Sequence, residues 1–225
     1  MKMSGFKMDA EIAYFIGVLH SDGCIYRFND KKRKRIQIRL NLTIGQKSLP
    51  MASEFKRILF KRFGRTVNIR KVPNKISYMV QTSINRLYWL FKQWEDKSIP
   101  FIISNDSVLF GSYLAGIIDG DGYVKLKKRD GKTFACQIKI SAGYIHYQLL
   151  EQIKFHLGCG AHIEKDVNKK GMGYSHCFLI SKKNYRYIQH LILPYIKMPY
   201  KKERIKEYIK KWAYRDSNPD FGHNQ

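Results

Sequence analysis

The sequence predicts an α+β fold made of two copies of an αββαββα unit. Three observations predict it: an internal repeat, strands of strict two-residue alternation inside each copy, and glycine-terminated helical runs after those strands. The repeat emerges when Asp22 is set on Asp121, 99 residues further on. IAYFIGVLHSDGCIY (12–26) and FGSYLAGIIDGDGYV (110–124) then share an apolar helical run, a glycine five residues before the aspartate and a glycine just after it.

Each copy opens with the helical run that ends at its aspartate. In the first copy Arg35, Gln37, Arg39, Asn41 and Thr43 then alternate with Ile36, Ile38, Leu40 and Leu42; in the second, Gln137, Lys139 and Ser141 alternate with Cys136, Ile138 and Ile140. A period of two marks half-buried strands. A shorter strand precedes each across a turn, at 29–34 and at 129–132, where Asp130-Gly131 is a hairpin signal. Helical stretches at 51–63 and 148–157 stop at Gly64 and Gly158, as helices commonly do. A second hairpin is expected in each copy, 66–70 with 77–82 and 162–167 with 175–180, with Pro73-Asn74 and 171–173 in the loops. Closing helices are expected at 85–94 and 183–193, where Tyr88, Trp89, Phe91 and Trp94 are read as core, and the polar tail 216–225 is given no role. The repeats divide as 1–104 and 105–225.

Charge narrows the function. The 225 residues carry 42 Lys+Arg against 18 Asp+Glu, a formal net charge of +24 divided almost evenly between the halves. Such a surface attracts phosphate polymers by steering and counterion release, so nucleic acid is the expected partner. With 44% hydrophobic and 14% aromatic residues the chain has material for a core and is not a disordered basic arm. Cys24, Cys136, Cys159 and Cys177 show no zinc-ligand spacing and are read as reduced, buried thiols. No secretory signal opens the chain, and its most apolar stretch, 108–118, is too short to cross a bilayer. The expectation is an intracellular protein with no membrane partner.

The chemistry gathers at the repeated motif. On helices, Ala13, Gly17 and Ser21 fall at i, i+4 and i+8, as do Ser112, Gly116 and Gly120. Each helix thus has a stripe free of bulky side chains, along which a second backbone can approach. Pairing the stripes brings Asp22 and Asp121 together at the helix ends. Two close carboxylates repel unless a cation lies between them, and hard oxygen donors suit Mg²⁺. The carbonyls of Ser21 and Gly120, unpaired at helix C-termini, are expected to complete the ligand set. Metal beside a phosphodiester can activate water and stabilise the leaving oxygen.

FIGVLHSDG (15–23) and LAGIIDGDG (114–122) resemble the two motif copies of the LAGLIDADG homing endonucleases, and with the repeats that follow them the resemblance covers nearly the whole chain. It implies a single-chain, monomeric, intron-encoded type of enzyme. Each half would lay a saddle-like, four-stranded antiparallel sheet along the DNA major groove. Such enzymes cut both strands across the minor groove and leave short 3′ overhangs. The last acid of each motif, here Asp22 and Asp121, binds the divalent metal: Mg²⁺, replaceable by Mn²⁺, with Ca²⁺ binding but not supporting cleavage. The first motif departs at His20, where the second has Asp119; capping or packing is the expected role, general base or ligand the alternative. By resemblance, a basic residue near each half-site polarises phosphate or organises water. Lys97 is the candidate in the first half and Lys201 in the second, with Lys197 and Lys202 as neighbours. Gln46 resembles the family's water-organising glutamine.

On the expected DNA face, Arg and Lys suit guanine while Gln and Asn suit adenine. Arg35, Gln37, Arg39 and Asn41, with Asn68 and Arg70 outside them, form the first reading row, and Lys125, Lys127, Gln137 and Lys139 the second. The basic run 31–35 at a hairpin tip suits phosphate contact, with a nuclear-import signal as rival. Two other functions compete: a maturase binding its host intron RNA, and a DNA-binding regulator without catalysis. Retention of both aspartates favours cutting, since a binder gains little from acids that face a polyanion.

Overall fold

The computed structural model describes residues 7–32, 34–83, 92, 98–129, 133–140, 146–158, 162–168, 171–180 and 184–217. Helix α1 (Ala10–Asp22) leads into the hairpin β1 (Gly23–Asp30) and β2 (Arg35–Gly45), helix α2 (Leu49–Phe63), and strands β3 (Arg70–Lys71) and β4 (Ser77–Ser83). The second half runs α3 (Ser107–Asp121), β5 (Gly122–Arg129), β6 (Thr133–Ile140), α4 (His146–Leu157), β7 (His162–Asn168), β8 (Gly171–Ile180) and α5 (Pro199–Ser217). Two antiparallel four-stranded sheets result, ordered β1-β2-β4-β3 and β5-β6-β8-β7. This is the α+β architecture that the repeat predicts.

Capping and burial explain why the two motif runs are helices. Asp9 accepts from the Ile12 N–H at the start of α1, and Asp106 accepts from Val108 and Leu109 N–H at the start of α3. Every residue from Ile12 to His20 and from Phe110 to Asp119 is buried. A helix covered on all sides sits at the centre of a molecule, which is why both runs are apolar around their whole circumference. The sheets pack Ile38, Leu40, Leu42 and Ile44 of β2 and Ile138 and Ile140 of β6 inward, while Ile36 at the hairpin end is exposed, and Phe55 of α2 stacks on Phe15 of α1 with ring centroids 4.4 Å apart. Gly64 and Gly158 take left-handed φ values of 61° and 58° just past α2 and α4, as the sequence predicts for helix stops.

Each half also holds the closing segment of the other. The Ile99 N–H donates to Gln148 Oε1 of α4 at 2.7 Å, and Lys197 Nζ pairs with Glu54 of α2 at 3.4 Å. His156 Nε2 meets the Ser104 carbonyl at 2.8 Å, so the segment joining the repeats is fastened along α4.

The departures from expectation have physical causes. Strand β3 is only two residues long: residues 66–69 keep the alternating burial that predicted a strand, but only Arg70 and Lys71 pair with β4, opposite Met79 and Tyr78. The second closing helix is instead a short helical turn, Tyr185–Tyr187, followed by a π-helical turn, Ile188–Ile192. The expected helix at 85–94 lies outside the described residues apart from Lys92. Helix α5 was not expected, although Ile205, Tyr208 and Ile209 give it a buried stripe at i, i+3 and i+4. Cys136 is a buried free thiol as expected, but Cys24 is exposed, because its register opposite Asn41 puts it on the polar face. Among the described residues no helix is long and apolar enough to cross a membrane.

Candidate functional site

The site is built by the contact of α1 with α3. A Cβ on Gly17 would overlap the Tyr113 carbonyl oxygen, and one on Gly116 would overlap that of Tyr14, so two glycines let the backbones touch. Ala13 is fully buried in this seam, and Ser112 Oγ donates across it to the Ala10 carbonyl. At the far end Gly120 has no room for a Cβ because Ser21 Oγ lies against it; that Ser21 hydroxyl is turned back onto the Gly17 and Val18 carbonyls at 3.1 Å.

Asp22 and Asp121 are therefore the last residues of two helices that end side by side. A Cβ placed on Gly120 would stand 3.2 Å from Asp22 Oδ2. Burial pushes the Asp121 carboxyl up to about 6, and the Asp22 charge pushes it the same way. Burial also raises Asp22, with Lys201 opposing. Among the described residues no group of three or more His, Cys, Asp or Glu side chains gathers anywhere. A divalent ion at this seam would thus have two carboxylates and the Ser21 carbonyl; the Gly120 carbonyl, expected to be unpaired, already takes one Lys201 N–H at 3.3 Å and has only its second lone pair to offer, so further positions are left to water and phosphate. Mg²⁺ is commonly held in that way.

Lys201 lies at the C-terminal end of α3, where its charge acts on both carboxylates. Its side chain is buried, and Nζ donates to the carbonyls of Ile118 at 2.7 Å, Asp119 at 2.7 Å and Gly120 at 3.3 Å. An ammonium has three N–H groups, and all three point at the C-terminal carbonyls of α3. Burial draws its pKa down, opposed by the charges of Asp119, Asp22 and Asp121. The neighbouring lysines do otherwise: Lys197 pairs with Glu54, while Lys202 is only half-buried. Lys97 lies outside the described residues, and Gln46 is exposed in the turn after β2.

His20 is 2% exposed, with Nδ1 3.0 Å from the Tyr113 hydroxyl, and burial lowers its pKa to about 3. It belongs to the seam. Its repeat mate Asp119 accepts from the Tyr14 hydroxyl at 2.8 Å and from the Lys197 N–H at 2.7 Å. Each motif helix thus offers a tyrosine to the other, and the residue that differs between the motifs is the tyrosine's partner. Tyr14 and Tyr113 occupy matching positions in the repeat, a signal that sequence reading passed over. So was Tyr200, whose hydroxyl is raised by burial and then by the charges of Asp119 and Asp22.

The strand register places Arg35, Gln37, Arg39, Asn41 and Thr43 on one face with Tyr26, Phe28, Met79 and Gln81. Lys125, Lys127, Gln137 and Lys139 share the matching face of the second sheet. The side chains of Arg35 and Lys127 lie outside the described residues. Arg70 is exposed on the outer strand and Asn68 in the loop before it. Gln37 differs from expectation: it is 7% exposed, donating to Asp30 and accepting from Ser83, each at 3.0 Å. One N–H and one lone pair of its amide are engaged within the sheet and the side chain is nearly enclosed, where the alternation predicts an open position.

No family model matches the chain. An uncharacterized protein of Methanocaldococcus jannaschii is 29% identical over 126 residues, which make up 55% of this chain and 45% of that protein. The chain therefore spans less than half the length of that relative. Among solved structures, the homing endonuclease I-DmoI in complex with DNA and calcium superposes with a TM-score of 0.61 at 15% identity, over 88% of this chain and 97% of that one. A lysine-to-alanine mutant of I-SmaMI gives 0.57 at 17% identity, over 96% and 93%. An I-DmoI variant with its target DNA and magnesium gives 0.56 at 19%, over 82% and 96%. At these identities the likeness is one of fold, and it extends over most of each chain.

Proposed function

We propose that this chain is a site-specific double-strand DNA endonuclease of the LAGLIDADG homing type, working as a monomer. One observation carries the reading: the glycine-lined seam delivers a single aspartate from each repeat to the same helix ends. Supporting it are the charge of +24 and two sheets whose polar faces carry arginine, lysine and amide side chains. The solved structures that share this fold include homing endonucleases bound to DNA with calcium or magnesium.

In this reading repeats 1–104 and 105–225 each hold one half-site. Asp22 and Asp121, with the Ser21 carbonyl and the second lone pair of the Gly120 carbonyl, would hold Mg²⁺ or Mn²⁺, which would supply an activated water and stabilisation of the leaving oxygen. The protein's own part is positioning. Partial burial takes the carboxylates out of the full screening of bulk water, so their field acts more strongly at the seam. Lys201 caps α3 and supplies a fixed positive charge behind them, and Gln46 orients water from the end of β2. The polar sheet faces bind the major groove on either side, so cutting falls across the minor groove and leaves short 3′ overhangs.

The test is to incubate the protein with a randomised duplex library and Mg²⁺ and sequence the cut ends, with Ca²⁺ as control. Cleavage at one long site in Mg²⁺ only is the expected result. Absence of cut ends, together with tight binding to structured intron RNA, would overturn the reading in favour of a maturase.

A further inference from the structure

The polar face of the first sheet carries an arrangement that the metal centre does not explain. In the β1–β2 register Tyr26 stands opposite Arg39 and Phe28 opposite Gln37, so two aromatic rings share a surface with the polar row. The Arg39 guanidinium carbon lies over the Phe28 ring, 3.1 Å from its centroid, and both residues are half-exposed. A phenylalanine on this face has no core to fill, since the isoleucines and leucines of β2 face the other way. On the outer side of the stack Gln37 is tied to Asp30 and Ser83. On the inner side the Tyr26 hydroxyl takes Asn41 Nδ2 at 3.3 Å and Gln81 Nε2 at 3.5 Å.

Arg39 is thus held between two hydrogen-bonded clusters and against an aromatic plane. A guanidinium held over a ring loses much of its rotational freedom while its planar set of N–H donors stays available, which a lysine ammonium cannot imitate. A fork held in that way suits the O6 and N7 acceptors of guanine, the commonest base-specific contact in the major groove. We propose that Arg39, oriented by Phe28, reads one guanine in the half-site of the first repeat, with Phe28 as a specificity-determining residue. The inference rests on the endonuclease reading above and adds a base to it. Its position follows from the strand: Arg39 pairs with Tyr26, which stands four residues beyond Asp22. At about 3.3 Å per residue that is about 13 Å, or roughly three to five base steps outward from the cut.

The experiment is selection of bound duplexes from a randomised library in Ca²⁺ at fixed salt, comparing wild type with Arg39→Lys, Phe28→Leu and Phe28→Tyr. Wild type should enrich a site with guanine at one position in that window. Arg39→Lys keeps the charge, so its salt dependence should stay, while preference for guanine at that position falls roughly tenfold or more. Phe28→Leu should blur the same position and no other, and Phe28→Tyr, which keeps the ring, should restore it. A guanine preference unchanged in Arg39→Lys and Phe28→Leu would overturn the inference and leave the endonuclease reading standing. A uniform loss of affinity for every base would likewise overturn it, marking Arg39 as a phosphate contact. If wild type enriches no site at all, the endonuclease reading falls and the inference with it.

Discussion

Asp121 is the residue on which pH should act most visibly. Its pKa rises from the ordinary 3.8 to about 6, first through burial and then through the Asp22 charge. Between those values the native chain holds a proton that the unfolded chain has released, so metal-free stability must decline as pH climbs through that window. Asp119 shifts in the same direction, so the comparison that isolates Asp121 is with Asp121→Asn. In melts with chelator from about pH 4 to about pH 6, the variant should lose less stability than wild type. Added Ca²⁺ should stabilise wild type above the window and do little for the variant. Lys201 offers a second test at this scale. Lys201→Met removes the buried ammonium that holds three carbonyls, and urea titration should register a loss of about 1–3 kcal/mol. Unchanged stability with cutting abolished would mean that the ammonium works on the phosphate instead. Sequence picked out Lys201 by resemblance; what it could not convey is the direction of the side chain, since a cap on α3 is made 80 residues downstream of Asp121.

Among the elements, α1 and α3 were legible because one signal was printed twice. The spacing of Gly17 and Gly116 gave both the helices and their mode of contact. Gly17→Ala should therefore cost about 1–3 kcal/mol by forcing a methyl group into the Tyr113 carbonyl, while Gly45→Ala, in open space, should cost little. Chemical denaturation of the two variants side by side checks this; equal stability would remove the close seam. Strand β2 was legible through its alternation, though alternation alone does not reveal that Gln37 is nearly enclosed and shares its amide with Asp30 and Ser83. Helix α5 escaped notice because most of its circumference is charged and its apolar stripe is narrow. The π turn at Ile188–Ile192 escaped because its spacing of buried residues is indistinguishable, over five positions, from that of an α-helix.

At the scale of the whole molecule, two sheets flank one helical seam, and each half fastens the end of the other through Gln148–Ile99 and Glu54–Lys197. The repeat made that pseudo-symmetry readable from sequence, but not these exchanged contacts, which join residues with no pattern in common. The His20 departure finds its physical place here. Tyr113 meets an imidazole where Tyr14 meets a carboxylate, so the two halves are alike in shape and unlike in chemistry. The charge of +24 belongs to the entire body and suits a duplex lying across both sheets. The most direct measurement is plasmid cleavage in Mg²⁺ at the selected site by wild type, Asp22→Asn and Asp121→Asn, with duplex affinity measured in parallel in chelator. The account predicts linear product from wild type only, with affinity near normal or tighter in both variants, since each has lost a negative charge near phosphate. Wild-type cutting by both variants would contradict it.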